Sequence, residues 1–225
     1  MSLIERKARE ISRPALEAVG RGLARSRLSP DAVTLVGLVL TAGVAALAAL
    51  GEIRWAGVAY IFAALCDSLD GALARARGGG SRFGAFLDST VDRLEEALVF
   101  LGLTIHYVRT GGIWEIPLIL VATVGSLLVS YTRARAEGLG VACREGLMTR
   151  LVRLVILIVG MISGQVLFAV IIIGAASLLT AFHRVYHVWR ATGGEKGGWG
   201  AVMEPYAPPA PLVPTAHGKE EEKAP

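Results

Sequence analysis

The stretch that decides the fold runs from Asp67 to Asp92 and reads DSLDGALARARGGGSRFGAFLDSTVD. It joins the polar end of one apolar run to the polar start of the next through a glycine-rich link. Asp67 and Asp70 are spaced i,i+3, and Asp88 and Asp92 are spaced i,i+4, so each pair shares one helical face. The short link predicts two antiparallel neighbouring helices whose aspartates meet at the same depth.

The rest of the chain has the composition of a membrane protein. Of its 225 residues, 53% are hydrophobic, and the mean hydropathy is +0.54. Both values are too high for an ordinary soluble domain. Because a span needs about 20 mostly apolar residues, the sequence predicts an all-α polytopic membrane protein with six transmembrane helices. The predicted spans are 33–50, 55–76, 83–107, 116–136, 147–162 and 165–189.

The six-helix membrane domain is predicted to cover residues 29–190, with a distinct segment on each side. Residues 1–28 combine apolar residues near helical spacing with many arginines, which is typical of an amphipathic helix lying on the membrane surface. An unstructured basic leader is the alternative. Residues 191–225 are rich in glycine, proline and charge, which predicts a disordered tail.

Arginines alternate between the connections and predict the orientation in the membrane. The N-terminal segment and the second and fourth connections are arginine-rich, whereas the first and third offer only Arg54 and Arg109. By the positive-inside rule, the arginine-rich side faces the cytoplasm. We therefore expect a protein of the cytoplasmic membrane with both termini and the aspartates on the cytoplasmic side. Its expected partners include membrane lipids and no nucleic acid.

Four converging aspartates predict a metal centre. Carboxylates at this proximity repel one another unless cations lie between them. Oxygen ligands without histidine or cysteine favour Mg²⁺, Mn²⁺ or Ca²⁺ over zinc. A pair of ions would suit in-line displacement at phosphorus. Arg75, close to the predicted cluster, is a candidate phosphate ligand.

The motif D-x2-D-G-x2-A-R-x8-G-x3-D-x3-D summarises this stretch, and it resembles the signature of the CDP-alcohol phosphotransferases at every defined position. The segment from Leu28 to Thr34 resembles the part of that family that leads into the first span. The resemblance implies a membrane enzyme, a homodimer, that moves a phosphatidyl-type group from a CDP-linked lipid to an alcohol.

The resemblance also implies roles for individual residues. Two Mg²⁺ or Mn²⁺ ions would be held by Asp67, Asp70, Asp88 and Asp92, with Asp92 also the general base. The residues implied to contact the cytidine nucleotide are Pro30, Asp31, Thr34, Asp67, Asp70, Gly71, Ala74, Arg75 and Gly84. For the small residues among them, close helix packing is the alternative explanation.

The fourth connection carries a finer resemblance. Residues 130–137 read SYTRARAE, similar to the S-Y-x-K-A-R-A-E stretch of phosphatidylinositol phosphate synthases, and residues 149–153 read TRLVR where those enzymes have E-R-P-E-R. It implies CDP-diacylglycerol as donor and inositol 1-phosphate as acceptor. The residues implied to bind the acceptor phosphate are Arg133, Arg135, Arg153, Arg150 and Arg190.

Several alternatives remain open at this point. An arginine replaces the usual lysine at position 133, and two acids of the second motif are missing, so CDP-archaeol as donor or glycerol 3-phosphate as acceptor is a competing interpretation. The arginines could instead satisfy the positive-inside rule and bind lipid headgroups. Carboxylates within spans also occur in cation or proton transporters, and a catalytically silent scaffold is a third class.

Overall fold

The computed structural model describes residues 29–143, 146 and 148–193, and every regular element in these ranges is an α-helix. The helices are α1 (Pro30–Ala49), α2 (Ile53–Ala76), α3 (Arg82–Thr110), α4 (Glu115–Gly138), α5 (Arg150–Ser163) and α6 (Val166–Ala191). The all-α prediction is confirmed. The predicted surface helix over residues 1–28 lies outside the described residues, as does the predicted tail beyond residue 193.

Local sequence signals explain where the helices begin and end. Ser29 and Ser81 cap α1 and α3 by accepting backbone N–H groups of the first turn, and Pro30 follows at the first position of α1. Gly111 and Gly164 end α3 and α5 in the left-handed conformation, with φ of 79° and 77°. The glycine at 164 therefore produces the predicted break between the fifth and sixth helices.

Four of the described helices, α1, α2, α4 and α6, are long and apolar enough to cross a membrane. The first half of α3 carries the charged residues of the central motif. Helix α5 has 14 residues, about 21 Å of length against a hydrocarbon thickness of about 30 Å. The chain is thus a membrane protein with multiple candidate spans, and crossing by α3 and α5 stays a prediction.

A single apolar core receives side chains from all six helices, including Val44, Tyr60, Phe100, Leu157 and Ile173. Helix α1 packs against both α2 and α3, and α4 packs against α6. The sequence predicts α2 and α3 as antiparallel neighbours, and in the structure they have little backbone contact with each other. The approach of α1 explains this, because a Cβ on Gly102 of α3 would lie 2.8 Å from the Cα of Ala45 of α1.

Candidate active site

The four aspartates of the central motif meet where α2 ends and α3 begins. This is the side that the sequence predicts to face the cytoplasm. Asp67, Asp70 and Asp88 each offer a carboxylate oxygen, and these oxygens lie within 4.8 Å of one another. Asp67, Asp92 and Glu95 form a second group that satisfies the same limit. Because Asp67 belongs to both groups, the carboxylates form one continuous centre with two positions for a cation.

The centre has the chemistry of a hard-cation site. Asp67 and Glu95 are 9% and 3% exposed. Among the described residues, Asp67 Oδ1 and Glu95 Oε1 are buried without a hydrogen-bond partner. Burying an unsatisfied carboxylate oxygen is costly, and a cation coordinated by these oxygens would remove that cost. An all-oxygen donor set fits Mg²⁺ or Mn²⁺, so the residues fit the predicted metal centre.

Helix α1 orients one carboxylate of the centre. The hydroxyl of Thr34 donates to Asp70 Oδ2 over 2.6 Å, and the other oxygen of Asp70 accepts the backbone N–H of Gly71. Thr34 is buried. The sequence predicted Thr34 as a nucleotide contact, whereas this structure places its hydroxyl on a predicted metal ligand. The local signal was present, since Thr34 lies one turn inside the capped start of α1.

The residues predicted to contact the nucleotide come from three helix ends. Pro30 and Asp31 begin α1, while Gly71, Ala74 and Arg75 lie near the end of α2. The start of α3 joins them, because a Cβ on Gly84 would lie 3.0 Å from Asp31 Oδ1. At α2, a Cβ on Gly71 would lie 3.3 Å from Arg75 Nη1. The predicted set is thus assembled around the aspartates, and contact with a nucleotide stays a prediction.

Arg150, the first residue of α5, reaches into the second carboxylate group. Its Nη1 lies 2.6 Å from Asp67 Oδ2 and 2.7 Å from Asp92 Oδ1, and its Nη2 lies 2.8 Å from Glu95 Oε2. Arg93 pairs with the other oxygen of Asp92 at 3.2 Å. Arg150 thus binds the carboxylate centre in this structure, whereas the sequence predicted it as a ligand of the acceptor phosphate.

Arg153, one turn further along α5, pairs with Glu96 of α3. Its Nε and Nη2 donate to the two carboxylate oxygens of Glu96 at 2.7 and 2.8 Å, and its Nη1 donates to the carbonyl of Met148 at 3.0 Å. The side chain of Arg153 is 2% exposed. The predicted contact of Arg153 with an acceptor phosphate would require Glu96 to yield part of this guanidinium.

We expect Arg153→Met to destabilise the protein by about 3–5 kcal/mol, because it leaves the carboxylate of Glu96, only 12% exposed, without a counter-charge. The measurement is the thermal unfolding midpoint in detergent. Arg133→Met is the matched control: Arg133 pairs with Glu137 at 2.9 Å with both side chains about half exposed, and such pairs contribute about 0–1 kcal/mol. Equal shifts of the two midpoints would contradict the structural role of Arg153.

The remaining predicted acceptor ligands lie at the ends of α4 and α6. Arg133 and Arg135 are exposed in the last turns of α4, and Arg190 is exposed in the last turn of α6. Arg184 of α6, which is absent from the predicted set, is buried and donates to the carbonyl of Val129 of α4. The sequence did carry a sign of Arg184, because an arginine within the last apolar run is unusual. Arg184 lies within electrostatic range of Arg133 and Arg153.

Comparison with known proteins now assigns the family. The sequence profile described as "CDP-alcohol phosphatidyltransferase" matches residues 27–184. The chain belongs to the CDP-alcohol phosphatidyltransferase family. The family prediction is therefore confirmed, and with it the prediction that the protein is an enzyme, which sets aside the transporter and scaffold alternatives.

Relatives within the family have several names. The phosphatidylinositol phosphate synthase of Mycolicibacterium smegmatis is 37% identical over 213 residues, covering 88% of this chain and 89% of the relative. The archaetidylinositol phosphate synthase of Methanothermobacter thermautotrophicus is 34% identical over 172 residues, covering 74% of this chain and 86% of the relative.

A solved relative has the same fold. The crystal structure of Mycobacterium tuberculosis phosphatidylinositol phosphate synthase with CDP-DAG bound has a TM-score of 0.72 and 33% identity, covering 77% of this chain and 93% of that one. A second crystal structure of that enzyme, in complex with manganese and citrate, has a TM-score of 0.71 at 33% identity, covering 77% and 88%. A relative thus binds manganese, and acidic clusters here could hold metal ions.

Proposed function

We propose that this CDP-alcohol phosphatidyltransferase moves the phosphatidyl group of CDP-diacylglycerol to inositol 1-phosphate, releasing CMP and forming phosphatidylinositol phosphate. The observation that carries the choice of acceptor is the concentration of guanidinium groups beside the carboxylate centre. Arg150 touches Asp67, Arg153 follows one turn later, and Arg184 lies within electrostatic range of Arg153 and Arg133. Arg150 and Arg153 are paired with carboxylates here, and a phosphate group, which suits guanidinium, would take the place of a carboxylate on them.

The names of two relatives support the same acceptor. One is called a phosphatidylinositol phosphate synthase and the other an archaetidylinositol phosphate synthase. Both names combine an inositol phosphate headgroup with a lipid, and they differ in the lipid. The donor is proposed to be CDP-diacylglycerol because a relative's crystal structure has that lipid bound.

The reaction we propose is a single displacement. The acceptor hydroxyl attacks the phosphorus that bears the diacylglycerol, a new P–O bond forms, and the bond to the bridging oxygen breaks so that CMP leaves. Asp92 takes the proton of the attacking hydroxyl, a role that contributes about 10² to 10⁴ in rate. Two bound Mg²⁺ or Mn²⁺ ions would supply charge stabilisation on the diphosphate and the leaving group.

The side chains around Asp92 hold its carboxylate in position. Its carboxylate is 14% exposed and lies between Arg93 and Arg150, so it is held in place at the edge of the centre. Asp67, Asp70, Asp88 and Asp92 are proposed as ligands of the cations. Arg75, exposed at the end of α2, is proposed to contact the phosphates of the nucleotide, with the small residues beside it allowing close approach.

The topology is part of the proposal. All six helices are proposed to cross the membrane, with the carboxylate centre and both termini on the cytoplasmic side and a second copy of the chain completing a homodimer. The alternation of arginine between connections supports the orientation. The outward-facing apolar side chains of α1 and α6, such as Val39 and Phe182, at 70% and 71% exposed, suit contact with lipid or another apolar surface.

The test is CMP release by purified protein given CDP-diacylglycerol and Mg²⁺ with one acceptor at a time. We expect turnover with inositol 1-phosphate and none with glycerol 3-phosphate, free inositol or serine. Turnover with glycerol 3-phosphate instead would overturn the acceptor assignment and leave the displacement chemistry intact. Turnover with CDP-archaeol but not CDP-diacylglycerol would overturn the donor assignment and favour an archaetidylinositol phosphate synthase.

A further inference from the structure

A guanidinium occupies the interior of the second carboxylate group. The nitrogens of Arg150 lie 2.6–2.8 Å from one oxygen each of Asp67, Asp92 and Glu95, and those same three residues could hold a metal ion. We propose that Arg150 and a divalent cation compete for this position, so that loading of the second ion displaces the guanidinium. The inference rests on the proposed two-metal mechanism and adds to it an internal competitor for one ion.

Glu95 adds a carboxylate to this cation position beyond the four predicted aspartates. It is 3% exposed, its Oε2 meets Arg150, and its Oε1 has no hydrogen-bond partner among the described residues. A Cβ on Gly37 of α1 would lie 3.3 Å from Glu95 Oε1, so the glycine leaves room for the carboxylate. The structure thus makes Glu95 the third carboxylate of this group, beside Asp67 and Asp92.

One guanidinium does not satisfy the group. It brings a single positive charge to three carboxylates and leaves Asp67 Oδ1 and Glu95 Oε1 without partners. A divalent ion brings twice the charge and binds carboxylate oxygens at about 2.0–2.2 Å, closer than any N–H···O contact. The arginine therefore acts as a weaker occupant that prevents mutual repulsion of the carboxylates when no metal ion is bound.

Arg150 is placed so that it can leave, and Arg153 is not. Arg150 is the first residue of α5, and its side chain is 32% exposed. Arg153 is 2% exposed and bound through both edges to Glu96 and Met148. The two arginines are one helical turn apart and differ in this respect, so the exchange involves Arg150 alone while Arg153 keeps α5 in place.

The competition has a measurable consequence. The guanidinium and the ion need the same oxygens and carry like charges, so the presence of one lowers the affinity of the other by the same factor. Removing the guanidinium without changing the carboxylates must then raise the affinity for the second ion. Loss of a charge-assisted contact of about 1.4 kcal/mol corresponds to a tenfold change in a dissociation constant.

The experiment measures Mn²⁺ binding to metal-stripped, detergent-solubilised protein without any CDP-lipid, by the electron paramagnetic resonance signal of free Mn²⁺. We expect Arg150→Gln to bind the more weakly held ion about tenfold more tightly than the wild type. Arg93→Gln is the matched control, because it removes an equal charge that pairs with Asp92 Oδ2, whereas Arg150 meets Asp92 Oδ1. We expect that control to change the affinity by about threefold or less.

Each other outcome decides against the inference. An unchanged or weaker Mn²⁺ affinity in Arg150→Gln would mean that Arg150 positions the carboxylates for the ion. An equal rise in affinity in Arg93→Gln would mean that the loss of a nearby positive charge, and not the vacated position, causes the change. Absence of Mn²⁺ binding to all variants would overturn the two-metal proposal itself. If Arg150→Gln does not fold, Arg150→Lys replaces it in the experiment. The single ammonium group of lysine contacts three carboxylates less well than a guanidinium does. We therefore expect this variant to bind Mn²⁺ more tightly than the wild type, by less than tenfold.

Discussion

Asp67→Asn is expected to lower the rate of CMP release by about 10³-fold or more. Asp67 is the only residue shared by the two carboxylate groups of the described residues, so its loss removes one ligand from each cation position. The amide is nearly isosteric with the carboxylate, and it removes a negative charge from a crowded site. We therefore expect the variant to fold and to fail in metal binding.

Two readouts separate these effects for Asp67→Asn. Mn²⁺ binding should weaken at both positions, while the thermal unfolding midpoint without metal should stay close to that of the wild type. Glu52→Gln is the matched control, since Glu52 is an exposed carboxylate that precedes α2 and thus lies at the other end of that helix. If Asp67→Asn keeps turnover within tenfold of the wild type, Asp67 does not link two cations.

Asp92→Asn is expected to reduce kcat by about 10² to 10⁴-fold while CDP-diacylglycerol binding is largely retained. The amide keeps the shape of the side chain, and it cannot accept the proton of the attacking hydroxyl. It also weakens the contact with Arg150 Nη1, which lies 2.7 Å from Asp92 Oδ1. The measurements are the rate of CMP release at saturating acceptor and the affinity for CDP-diacylglycerol in the presence of Mg²⁺.

The pair of measurements distinguishes the two roles proposed for Asp92. A fall in kcat with little change in donor affinity supports a general base. A comparable loss of donor affinity and Mn²⁺ affinity would show that Asp92 acts mainly as a metal ligand. Near-normal turnover would contradict the general-base assignment altogether, and Glu52→Gln again controls for the loss of an acidic side chain.

The sequence by itself determined the helices and the aspartates that carry the chemistry. Helix bounds follow from apolar length and from local caps such as Ser29, Ser81 and Gly164, and these act over a few neighbouring residues. The i,i+3 and i,i+4 spacing of the aspartates predicts a shared face for the same reason, because helical geometry is local. The family signature, read at fixed spacing, then led to the confirmed family.

Only the tertiary structure decided which side chains meet across helices. Arg150 contacts Asp67 and Arg153 contacts Glu96 over sequence separations of 83 and 57 residues, and the register between α5 and α3 is determined by packing of the whole core. Helix α1 likewise packs against α2 and α3, the two helices that carry the aspartates, and it approaches α3 closely at Gly102. Charge and spacing along the chain identify an arginine as important, whereas its partner depends on how distant helices pack.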